Sequence, residues 1–489
     1  MIRLTPGQIA RAAGARMTAG PAPPSSPEDA PARAVVDSRA VSAGDLFVGL
    51  PGERVDGGEF AAAAIERGAW GAIVAPEHAA ATVAAAEQHG ARVFEAADPL
   101  AALAGLARGW LAQLRSDGCR VVGITGSTGK TSTKDILLAM LGPPFGGRVH
   151  ANRENFNTEV GLPLTVLEAE AGVQVLVLEM AMRGMGQIRE LAQIAHPDVG
   201  VITNVGPVHL ELVGTVERVA EAKAELIAEL RGGHAACVVP AAEEALHPHL
   251  RSDVRTITFA PWVGRRSAGG SLDAVAGAAA DIRALTVEER DGHAHAEVMV
   301  GPRRATFEFN FAQDHNVTNA LAAIGVAHAL GVDPQALGEG ARQVRFSGLR
   351  GESLQLPGGV LIVNDCYNAN PVSMRAAIDD LAARADRRGA RRMVAVLGDM
   401  RELGPAAASF HREIGARAAD AGIALLVAVG EHAEDYALGH GGDVRRAADA
   451  QEAAALVPEL IEPGDVVLVK ASRGVGLERV TKALEGATV

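Results

Sequence analysis

One stretch, Val121–Thr133 with the sequence VVGITGSTGKTST, constrains the possible folds more than any other part of the chain. An apolar strand over 121–124 leads into a glycine-rich turn, and a helix is predicted over 132–141. Glycines let the backbone approach a phosphate and turn its N–H groups inward. The helix N-terminus and Lys130 add positive charge, and the Thr131 hydroxyl can bind Mg²⁺. This order of strand, turn and helix predicts a phosphate-binding loop in an α/β sheet.

The loop departs from the strict phosphate-loop pattern at one position. That pattern places a glycine five residues before Gly129, where this chain has Ile124. The match is therefore to a shorter variant, TGSTGKT. The alternative is an ordinary turn rich in glycine, serine and threonine before a helix.

Charge and cysteine content argue against several classes of protein. The net charge is −13, from 46 basic and 59 acidic residues, which argues against broad binding to nucleic acid or anionic membranes. The three cysteines, Cys119, Cys237 and Cys366, have no paired spacing, so neither a disulfide framework nor a zinc site is expected. No apolar run reaches the length of a transmembrane helix, and the first residues have no signal-peptide core. We expect a cytoplasmic protein without stable membrane insertion.

The length of 489 residues and the order of apolar runs predict an α/β protein of three domains. Residues 1–97 contain short strands and helices and form a small α/β N-terminal domain. Residues 98–345 alternate Val/Ile/Leu runs with helices, which predicts a parallel sheet covered on both faces, followed by an antiparallel hairpin over 293–311. Residues 346–489 predict a C-terminal Rossmann-like α/β domain, without the GxGxxG sequence typical of a bound dinucleotide.

Polar side chains follow the predicted strands of both larger domains. Ligands of open α/β sheets bind beyond the carboxyl ends of the strands. In the central domain the polar residues at these ends are Glu179, Asn204 and His209. In the C-terminal domain they are Asp365, Tyr367, Asn368, Asn370, Asp399, Glu402, His411, Lys470, Ser472 and Arg473. We expect the two groups to face each other across a cleft.

Two of these residues are candidate metal ligands. Glu179 ends an apolar strand beside the phosphate-loop strand, and with Thr131 it offers the hard oxygen atoms that Mg²⁺ prefers. The alternative for Glu179 is a solvated carboxylate at a strand end. His209, in the loop TNVGPVHLE, is either a structural residue or a ligand of metal or phosphate.

Lys223 is unusual because it shares one predicted helical face with five apolar residues, Val216, Val219, Leu226, Ile227 and Leu230. A lysine on such a face can extend its ammonium to water. If it is buried instead, its pKa falls and the neutral amine becomes available. A neutral amine can add CO₂ to form a carbamate, which is an oxygen anion of the kind that Mg²⁺ prefers.

Nine motifs taken together resemble the Mur ligases, the ATP-dependent amide-bond-forming enzymes of peptidoglycan precursor synthesis. In chain order they are TGSTGKT, NFNTEVGLPLT, LEMAMRG, TNVGPVHLE with EAKAEL, QDHNVTNALAA, SGLRGE, NDCYNANPVSM, LGDMRELG and VKASRGVGLE. They cover nearly the whole chain. The phosphate loop is shared with folylpolyglutamate synthases, so DCYNANP and GDMRELG are the more specific pair.

The resemblance implies a ligase that binds ATP and two Mg²⁺ ions. It implies that the ATP phosphates contact Gly126, Ser127, Thr128, Gly129, Lys130, Thr131 and Ser132. It places Asn316 and Asn319 near adenine, Asp365 near the ribose and Arg350 at the γ-phosphate. Metal ligands would be Thr131, Glu179, His209 and a carbamylated Lys223. Catalytic roles would fall to Lys130, His209, Lys223 and Arg350.

The resemblance also implies the small-molecule substrates, a UDP-muramyl tripeptide, D-alanyl-D-alanine and ATP. The UDP-sugar would lie on the first domain at Ser38 and Arg39, and the C-terminal domain would bind the dipeptide and close over the cleft. Further substrate contacts would be Asn155, Thr158, Tyr367, Asn368, Asn370, Lys470 and Arg473. Four positions depart from the usual pattern, since Gly58 replaces a His, Thr158 an Asn, Ala181 a Gly and Cys366 a Ser. We expect a monomer.

Three other functions stay open. A ligase of the same scaffold could add another amino acid to the muramyl peptide, or glutamate to folate. A phosphate-loop NTPase or kinase would turn over ATP without an amine acceptor. A non-catalytic nucleotide-binding protein would not need Lys130, Thr131 and Glu179 to be intact. The sequence also does not distinguish lysine from diaminopimelate in the tripeptide.

Overall fold

The computed structural model describes residues 4–21, 29–153, 155–262, 279–349 and 351–486. In this part of the chain three sheets follow one another, with five, nine and six strands. Each sheet falls within one predicted domain and is packed against helices, which confirms the three-domain α/β fold. The domain boundaries at 97/98 and 345/346 stay predictions.

The first sheet has the order β1-β5-β4-β3-β2 and is parallel except for β1. Its strands are β1 (Arg16–Ala19), β2 (Ala34–Val35), β3 (Leu46–Val48), β4 (Gly71–Val74) and β5 (Arg92–Glu95), and its helices are α1 (Pro6–Ala12), α2 (Ala61–Glu66) and α3 (Pro76–His89). The sequence did not indicate α3 because its buried face consists of Ala79, Thr82, Ala85 and Ala86 rather than large apolar residues.

The central sheet has the order β14-β13-β12-β11-β10-β9-β6-β8-β7. Its strands are β6 (Arg120–Thr125), β7 (Val149–Ala151), β8 (Val175–Glu179), β9 (Val199–Ile202), β10 (Ala236–Pro240), β11 (Arg255–Phe259), β12 (Ile282–Arg290), β13 (His293–Val300) and β14 (Arg303–Phe309). The prediction of a parallel sheet is correct from β7 to β12, but β12, β13 and β14 are antiparallel to one another, so the sheet is mixed. The predicted hairpin corresponds to β13 and β14.

The helices around this sheet are α4 (Pro99–Ser116), α5 (Lys130–Leu141), α6 (Gly161–Glu168), α7 (Gln187–Ala195), α8 (Leu210–Val213), α9 (Val216–Ala228), α10 (Asp314–Ala329) and α11 (Gly338–Ala341). Helix α4 begins at a Pro after Asp98, whose carboxylate accepts hydrogen bonds from two backbone N–H groups. Its apolar side chains, such as Leu103 and Trp110, belong to one core that contains Phe94 of the first sheet and Leu176 of the second. The first two domains are therefore joined by a shared hydrophobic core.

The third sheet has the order β15-β16-β20-β17-β18-β19 and is parallel except for its edge strand β15. Its strands are β15 (Glu352–Gln355), β16 (Leu361–Asn364), β17 (Arg392–Gly398), β18 (Leu425–Val429), β19 (Val444–Ala447) and β20 (Asp465–Lys470). Its helices are α12 (Pro371–Arg388), α13 (Ala407–Asp420), α14 (Ala433–His440), α15 (Ala450–Leu456) and α16 (Glu478–Gly486). Within the described ranges, no helix is both long and apolar enough to cross a membrane.

The order of the central strands places the site. Strand β6 lies between β8 and β9, and all three run in the same direction. Ile124 is opposite Glu179 on one side, and Thr125 is opposite Ile202 on the other. The phosphate loop, Glu179 and the loop that follows β9 therefore meet at one edge of the sheet, as the sequence predicts.

Candidate active site

Two glycines of the phosphate loop have backbone conformations and surroundings that exclude other residues. Gly129 has φ 77° and stands directly before α5, which begins at Lys130, two residues earlier than predicted. A Cβ at Gly129 would lie 2.3 Å from Asn319 Oδ1, and one at Gly126, where φ is 155°, would lie 1.8 Å from Thr203 Oγ1. The loop needs glycine at both positions because the backbone passes so close to α10 and to the end of β9.

The loop after β9 holds the phosphate loop in place. The Thr128 N–H donates to Asn204 Oδ1 at 2.9 Å, and Asn204 Nδ2 donates back to Thr128 Oγ1 at 2.6 Å. The Ser127 hydroxyl donates to the Gly206 carbonyl at 3.1 Å. The Lys130 ammonium folds back over the loop and donates to the Gly126 carbonyl at 2.7 Å. These contacts hold the loop in a formed cradle, with a cation above it.

Thr131 and Glu179, predicted to share a metal ion, are in contact. Thr131 Oγ1 donates to Glu179 Oε2 at 2.7 Å, and the Glu179 side chain is 2 % exposed. Its other oxygen, Oε1, accepts from Asn157 Nδ2 at 2.8 Å. A buried carboxylate beside a hydroxyl, at the end of the phosphate loop, is a donor set of hard oxygens that fits Mg²⁺. The alternative of a solvated carboxylate is therefore wrong.

Two asparagines that the sequence did not mark as site residues position Glu179. Asn157 holds its carboxylate, while Asn152 Oδ1 accepts from the Glu179 N–H at 2.6 Å and Asn152 Nδ2 donates to the Glu179 carbonyl at 3.2 Å. Asn157 lies within the NFNT motif, between the predicted contacts Asn155 and Thr158, which are both exposed. Only the position of Asn157 within that motif could have indicated its role.

The contacts of Asn152 predict a large loss of stability in Asn152→Ala. Asn152 is buried and also donates to the Phe156 carbonyl at 2.6 Å, so its removal leaves buried backbone groups unpaired. We expect the free energy of unfolding of the central domain to fall by about 2–4 kcal/mol, measured by urea unfolding. The matched control is Asn310→Ala, which removes one hydrogen bond from an exposed side chain. Equal losses in the two variants would contradict this interpretation.

Lys223 is buried on α9, so the alternative of an ammonium that reaches water is wrong. Its side chain is 1 % exposed, and among the described residues no hydrogen bond or ion pair to its ammonium is found. Burial, and secondly the positive charge of Lys130, hold the pKa of Lys223 well below its usual range. The amine is therefore poised to be neutral, which is the form that can react with CO₂.

His209 connects the central domain to the C-terminal domain. Its Nδ1 contacts the Glu402 carboxylate, and the Glu211 N–H donates to the Glu402 carbonyl at 3.3 Å. The hydrogen bond from His209 lowers the pKa of Glu402, with a smaller contribution from Arg183, 3.7 Å away. The two predicted groups of polar residues thus do face each other here. The pairing of His209 with Glu179 at a metal stays a prediction.

In the C-terminal domain, the buried Lys470 pairs with the partly buried Asp365. Lys470 Nζ donates to Asp365 Oδ2 at 2.5 Å and to the Asn368 carbonyl at 2.9 Å. Asn370 caps α12, because its Oδ1 accepts from the Ser373 N–H at 2.9 Å. The Asn368 side chain is exposed, as is Arg473, while Tyr367 is partly buried. Lys470 therefore holds the loop 365–370 through Asp365 and the Asn368 carbonyl, while the Asn368 side chain is exposed to solvent.

The surroundings of His411 indicate a structural role rather than a role in catalysis. It is fully buried, stacks on His432 at 4.2 Å between ring centroids, and its Nε2 accepts from the Met400 N–H at 2.9 Å. Its Nδ1 contacts the Ala407 carbonyl at 2.7 Å, so the ring is neutral with the proton on Nδ1. Burial lowers the pKa of His411.

The predicted UDP-sugar contacts Ser38 and Arg39 lie on a turn of the first domain. The Arg39 side chain is 87 % exposed and pairs with Asp37 at 2.8 Å, and this hydrogen-bonded pairing lowers the Asp37 pKa to about 2. In the same domain, the space beside Gly58 is filled, because a Cβ there would lie 2.2 Å from the ring of His78. The histidine missing at position 58 therefore has an imidazole from α3 in its place.

Two other departures are accommodated without strain, and one predicted residue cannot be placed. Cys366 is buried and its Sγ donates to the Val469 carbonyl at 3.3 Å, a bond that a serine could also make. The Ala181 N–H donates to the Asn157 carbonyl at 2.9 Å, so its backbone supports the residue that holds Glu179.

Arg350, the predicted γ-phosphate contact, lies outside the described residues. Asn319 is buried on α10 beside Gly129, and its Nδ2 donates to Oδ1 of the buried Asn316 at 3.3 Å.

Comparison with known proteins agrees with this geometry. The sequence models "Mur ligase family, catalytic domain", "Mur ligase middle domain" and "Mur ligase, glutamate ligase domain" match residues 34–110, 124–327 and 349–473. The chain is 38 % identical to the UDP-N-acetylmuramoyl-tripeptide–D-alanyl-D-alanine ligase of Mycobacterium tuberculosis, over 99 % of this chain and 98 % of that protein. The ligase of the same name from Bacillus subtilis is 34 % identical over 92 % of each.

Solved structures give the same result. MurF from Acinetobacter baumannii aligns with a TM-score of 0.83 at 25 % identity, over 99 % of this chain and 100 % of that one. The MurF ligase from Thermotoga maritima in complex with ADP aligns with a TM-score of 0.74 at 31 % identity, over 93 % and 97 %. Since family models match all three parts in order and relatives cover nearly the full length, the chain belongs to the Mur ligase family.

Proposed function

We propose that the protein joins D-alanyl-D-alanine to UDP-N-acetylmuramoyl-tripeptide, with hydrolysis of ATP to ADP and phosphate. The observation that carries this proposal is the intact phosphate loop, with the Thr131–Glu179 contact at its end, in a chain that is similar over its full length to ligases of that name. The Thermotoga relative crystallised with ADP supports ATP as the nucleotide.

The reaction has two steps because a carboxylate is a poor electrophile. The terminal carboxylate of the tripeptide attacks the γ-phosphorus of ATP, the bond to the β-phosphate oxygen breaks, and ADP leaves. The free amine of the dipeptide then attacks the carbonyl carbon of the acyl phosphate, loses a proton, and expels phosphate. Water must be excluded between the steps, since it would hydrolyse the acyl phosphate. Closure of the C-terminal domain over the cleft would provide this exclusion.

The nucleotide contacts that we propose follow the phosphate loop outward. Lys130 and backbone N–H groups of residues 126–132 would hold the phosphates and offset the charge of the transferring phosphoryl group. The N–H groups of Ser127 and Thr128 already donate to Asn204 and are not among them. Asn316 and Asn319 lie next to the loop and would contact adenine, Asp365 the ribose, and Arg350 the γ-phosphate. For Asp365 this role competes with its bond to Lys470.

We propose two Mg²⁺ sites, held by Thr131 with Glu179, and by Glu179 with His209 and a carbamylated Lys223. Bound Mg²⁺ would neutralise phosphate charge during transfer. Asn157 holds the Glu179 carboxylate and Asn152 holds the Glu179 backbone, so the oxygen donors are already in place. Lys223 is buried, and the charge of Lys130 contributes to its lowered pKa. Once carbamylated, it would offer carbamate oxygens to the metal.

Substrate contacts on all three domains complete the proposal. Ser38 and Arg39, with Asn155 and Thr158, would contact the UDP-muramyl peptide. Tyr367, Asn368, Asn370, Lys470 and Arg473 would form the dipeptide side, with Asn370 and Lys470 acting through the shape of the loop that they hold. We propose a monomer in the cytoplasm, where ATP and UDP-linked precursors are found.

The test is an ADP-release assay with a panel of UDP-muramyl peptides, with and without D-alanyl-D-alanine. We expect release to require both the tripeptide and the dipeptide. Activity with L-glutamate or diaminopimelate as the acceptor would instead indicate another ligase of the same scaffold. ADP release that is independent of any amine would indicate an NTPase or kinase.

The exposed amide of Asn368 leads to a specific kinetic prediction. Asn368→Ala should raise KM for D-alanyl-D-alanine about tenfold while changing KM for ATP less than about twofold. Asn310→Ala, an exposed asparagine of the central domain, serves as the matched control and should change neither constant. An equal loss for both substrates in Asn368→Ala would count against a separate acceptor site in the C-terminal domain.

A further inference from the structure

The linker between the central and C-terminal domains, of which the structure describes residues 346–349 and 351, is bound to the phosphate-loop helix α5. We propose that Asp135 is the positioning residue that makes this connection. Through it, the state of the nucleotide site would set the position of the C-terminal domain. The inference rests on the proposed function only in assuming that this domain moves during the reaction. The contacts themselves are independent of the substrates.

The linker is held on both sides of the turn that leads into β15. Phe346 packs in the central core, with its ring 5.3 Å from that of Phe311. Leu349 has φ 61°, a conformation that is costly for a residue with a branched side chain, and Gly351 has φ 67°. The Leu349 carbonyl accepts from the Tyr367 N–H at 3.2 Å. The described residues of the linker are therefore held by contacts with both the central core and the C-terminal domain.

Ser347 is the point at which the linker contacts the nucleotide helix. Asp135 Oδ2 accepts from the Ser347 N–H at 2.8 Å and from its hydroxyl at 2.9 Å. Asp135 is buried, and it follows Lys130 by five positions on the same helix, α5. Because α5 begins at the phosphate loop, a shift of this helix on nucleotide binding would move the carboxylate that holds the linker.

A second path leads from Asp135 to Glu179. Lys134 lies 3.2 Å from Asp135 Oδ1, and its ammonium donates to the Asn152 carbonyl at 2.8 Å. The Asn152 side chain bonds to both backbone groups of Glu179. The buried groups thus form a continuous series from Glu179 to the linker, in which each member is hydrogen-bonded or ion-paired to the next. A contiguous network of this kind can carry coupling, but coupling has to be measured.

The arrangement suits a ligase that must delay the entry of its acceptor. If the linker moves together with α5 when ATP binds, the C-terminal domain would close after ATP is in place. Loss of the Asp135–Ser347 contact would leave ATP binding intact and impair closure. Closure and acceptor binding, rather than nucleotide affinity, should therefore respond to substitutions here.

The test compares Ser347→Ala with Ser353→Ala in the full-length enzyme. Ser353 is the matched control, because its hydroxyl accepts from Arg384 within the C-terminal domain alone. Three quantities are measured: the affinity for ADP, the change in radius of gyration on adding ADP by small-angle X-ray scattering, and KM for D-alanyl-D-alanine. Ser347→Ala removes the hydroxyl bond to Asp135 but keeps the backbone N–H bond. We therefore expect ADP affinity to change less than about twofold, the scattering change to be reduced, and KM to rise about five- to tenfold. Ser353→Ala should match wild type.

A double-mutant cycle separates this coupling from a general loss of stability. Asp135→Asn removes the charge that holds Ser347, so its effect on the scattering change should not add to that of Ser347→Ala. Additive effects, wild-type behaviour of Ser347→Ala, or a wild-type enzyme whose scattering does not respond to ADP would each overturn the proposal. If no ligation were found at all, the function would be wrong, yet the ADP affinity and scattering arms would still decide the coupling.

Discussion

Lys223→Ala is expected to lose most ligase activity and to regain part of it when acetate or another short carboxylate is added. The wild-type side chain is 1 % exposed, and burying an unpaired ammonium is costly. Its lowered pKa favours the neutral amine, which can take up CO₂ and become an oxygen anion. In the variant, a small carboxylate can occupy the vacated space and supply the same oxygens. We expect turnover to fall on the order of 10²–10³-fold before rescue.

The control for this rescue is Lys130→Ala, which also shortens a lysine of the proposed site but removes a cation, whereas Lys223→Ala would remove the proposed oxygen anion. Acetate should not restore its activity. In a second arm, bicarbonate should stimulate wild-type enzyme that has been depleted of CO₂. A Lys223→Ala enzyme with ordinary activity and no response to carboxylates would show that the residue only fills space in the core.

Lys130→Ala itself is expected to reduce turnover on the order of 10³-fold while the fold is kept. The ammonium lies over the phosphate loop, 2.7 Å from the Gly126 carbonyl, where the transferring phosphoryl group would be. If Lys130 contacts that group as we propose, the substitution removes a charge-assisted hydrogen bond that is strongest in the transition state. Steady-state kinetics give the turnover, and circular dichroism with a thermal midpoint checks the fold.

The matched control is Lys482→Ala, a lysine on the exposed side of α16, which should keep wild-type turnover. A folded Lys130→Ala enzyme with near-normal turnover would contradict the assignment of this loop to ATP. The two expected turnover numbers differ by orders of magnitude, so steady-state kinetics distinguishes them easily.

The parts of the site that the sequence predicts are those encoded within a short stretch. The strand–turn–helix order marks the phosphate loop, and the position of Glu179 at the end of a neighbouring strand brings it to Thr131. Local patterns suffice here because parallel strands bring their carboxyl ends to the same edge. The departures at the ends of elements are small, as in the start of α5 at Lys130 instead of Ser132.

The supporting contacts could not be predicted because they join residues distant in sequence. Asn152 and Glu179 are 27 positions apart, and Asp135 and Ser347 are 212 apart. The sequence around an asparagine or a serine does not indicate which distant residue it will hydrogen-bond. Lys223 could be predicted only in part. The apolar face of its helix is compatible with either a buried or an exposed lysine, and the packing of α9 shows that it is buried.

Composition also hid some of the fold. Helix α3 buries alanines, so its amphipathic pattern is weak, and the antiparallel extension of the central sheet begins with the partly exposed strand β12. Neither element contributes to the phosphate loop, so the site prediction did not depend on them. Gly58 shows the limit of motif comparison, because the residue that fills its space, His78, comes from a different element.

The most direct test of the central claim, ligation through an acyl phosphate, uses a UDP-muramyl tripeptide with ¹⁸O in its terminal carboxylate. The labelled substrate is converted in the presence of ATP and D-alanyl-D-alanine, and the phosphate and the peptide product are analysed by mass spectrometry. The account predicts that each amide bond formed transfers one ¹⁸O atom to inorganic phosphate and leaves ADP unlabelled. Phosphate that forms without the label, or ATP turnover without a new amide bond at that carboxylate, would contradict it.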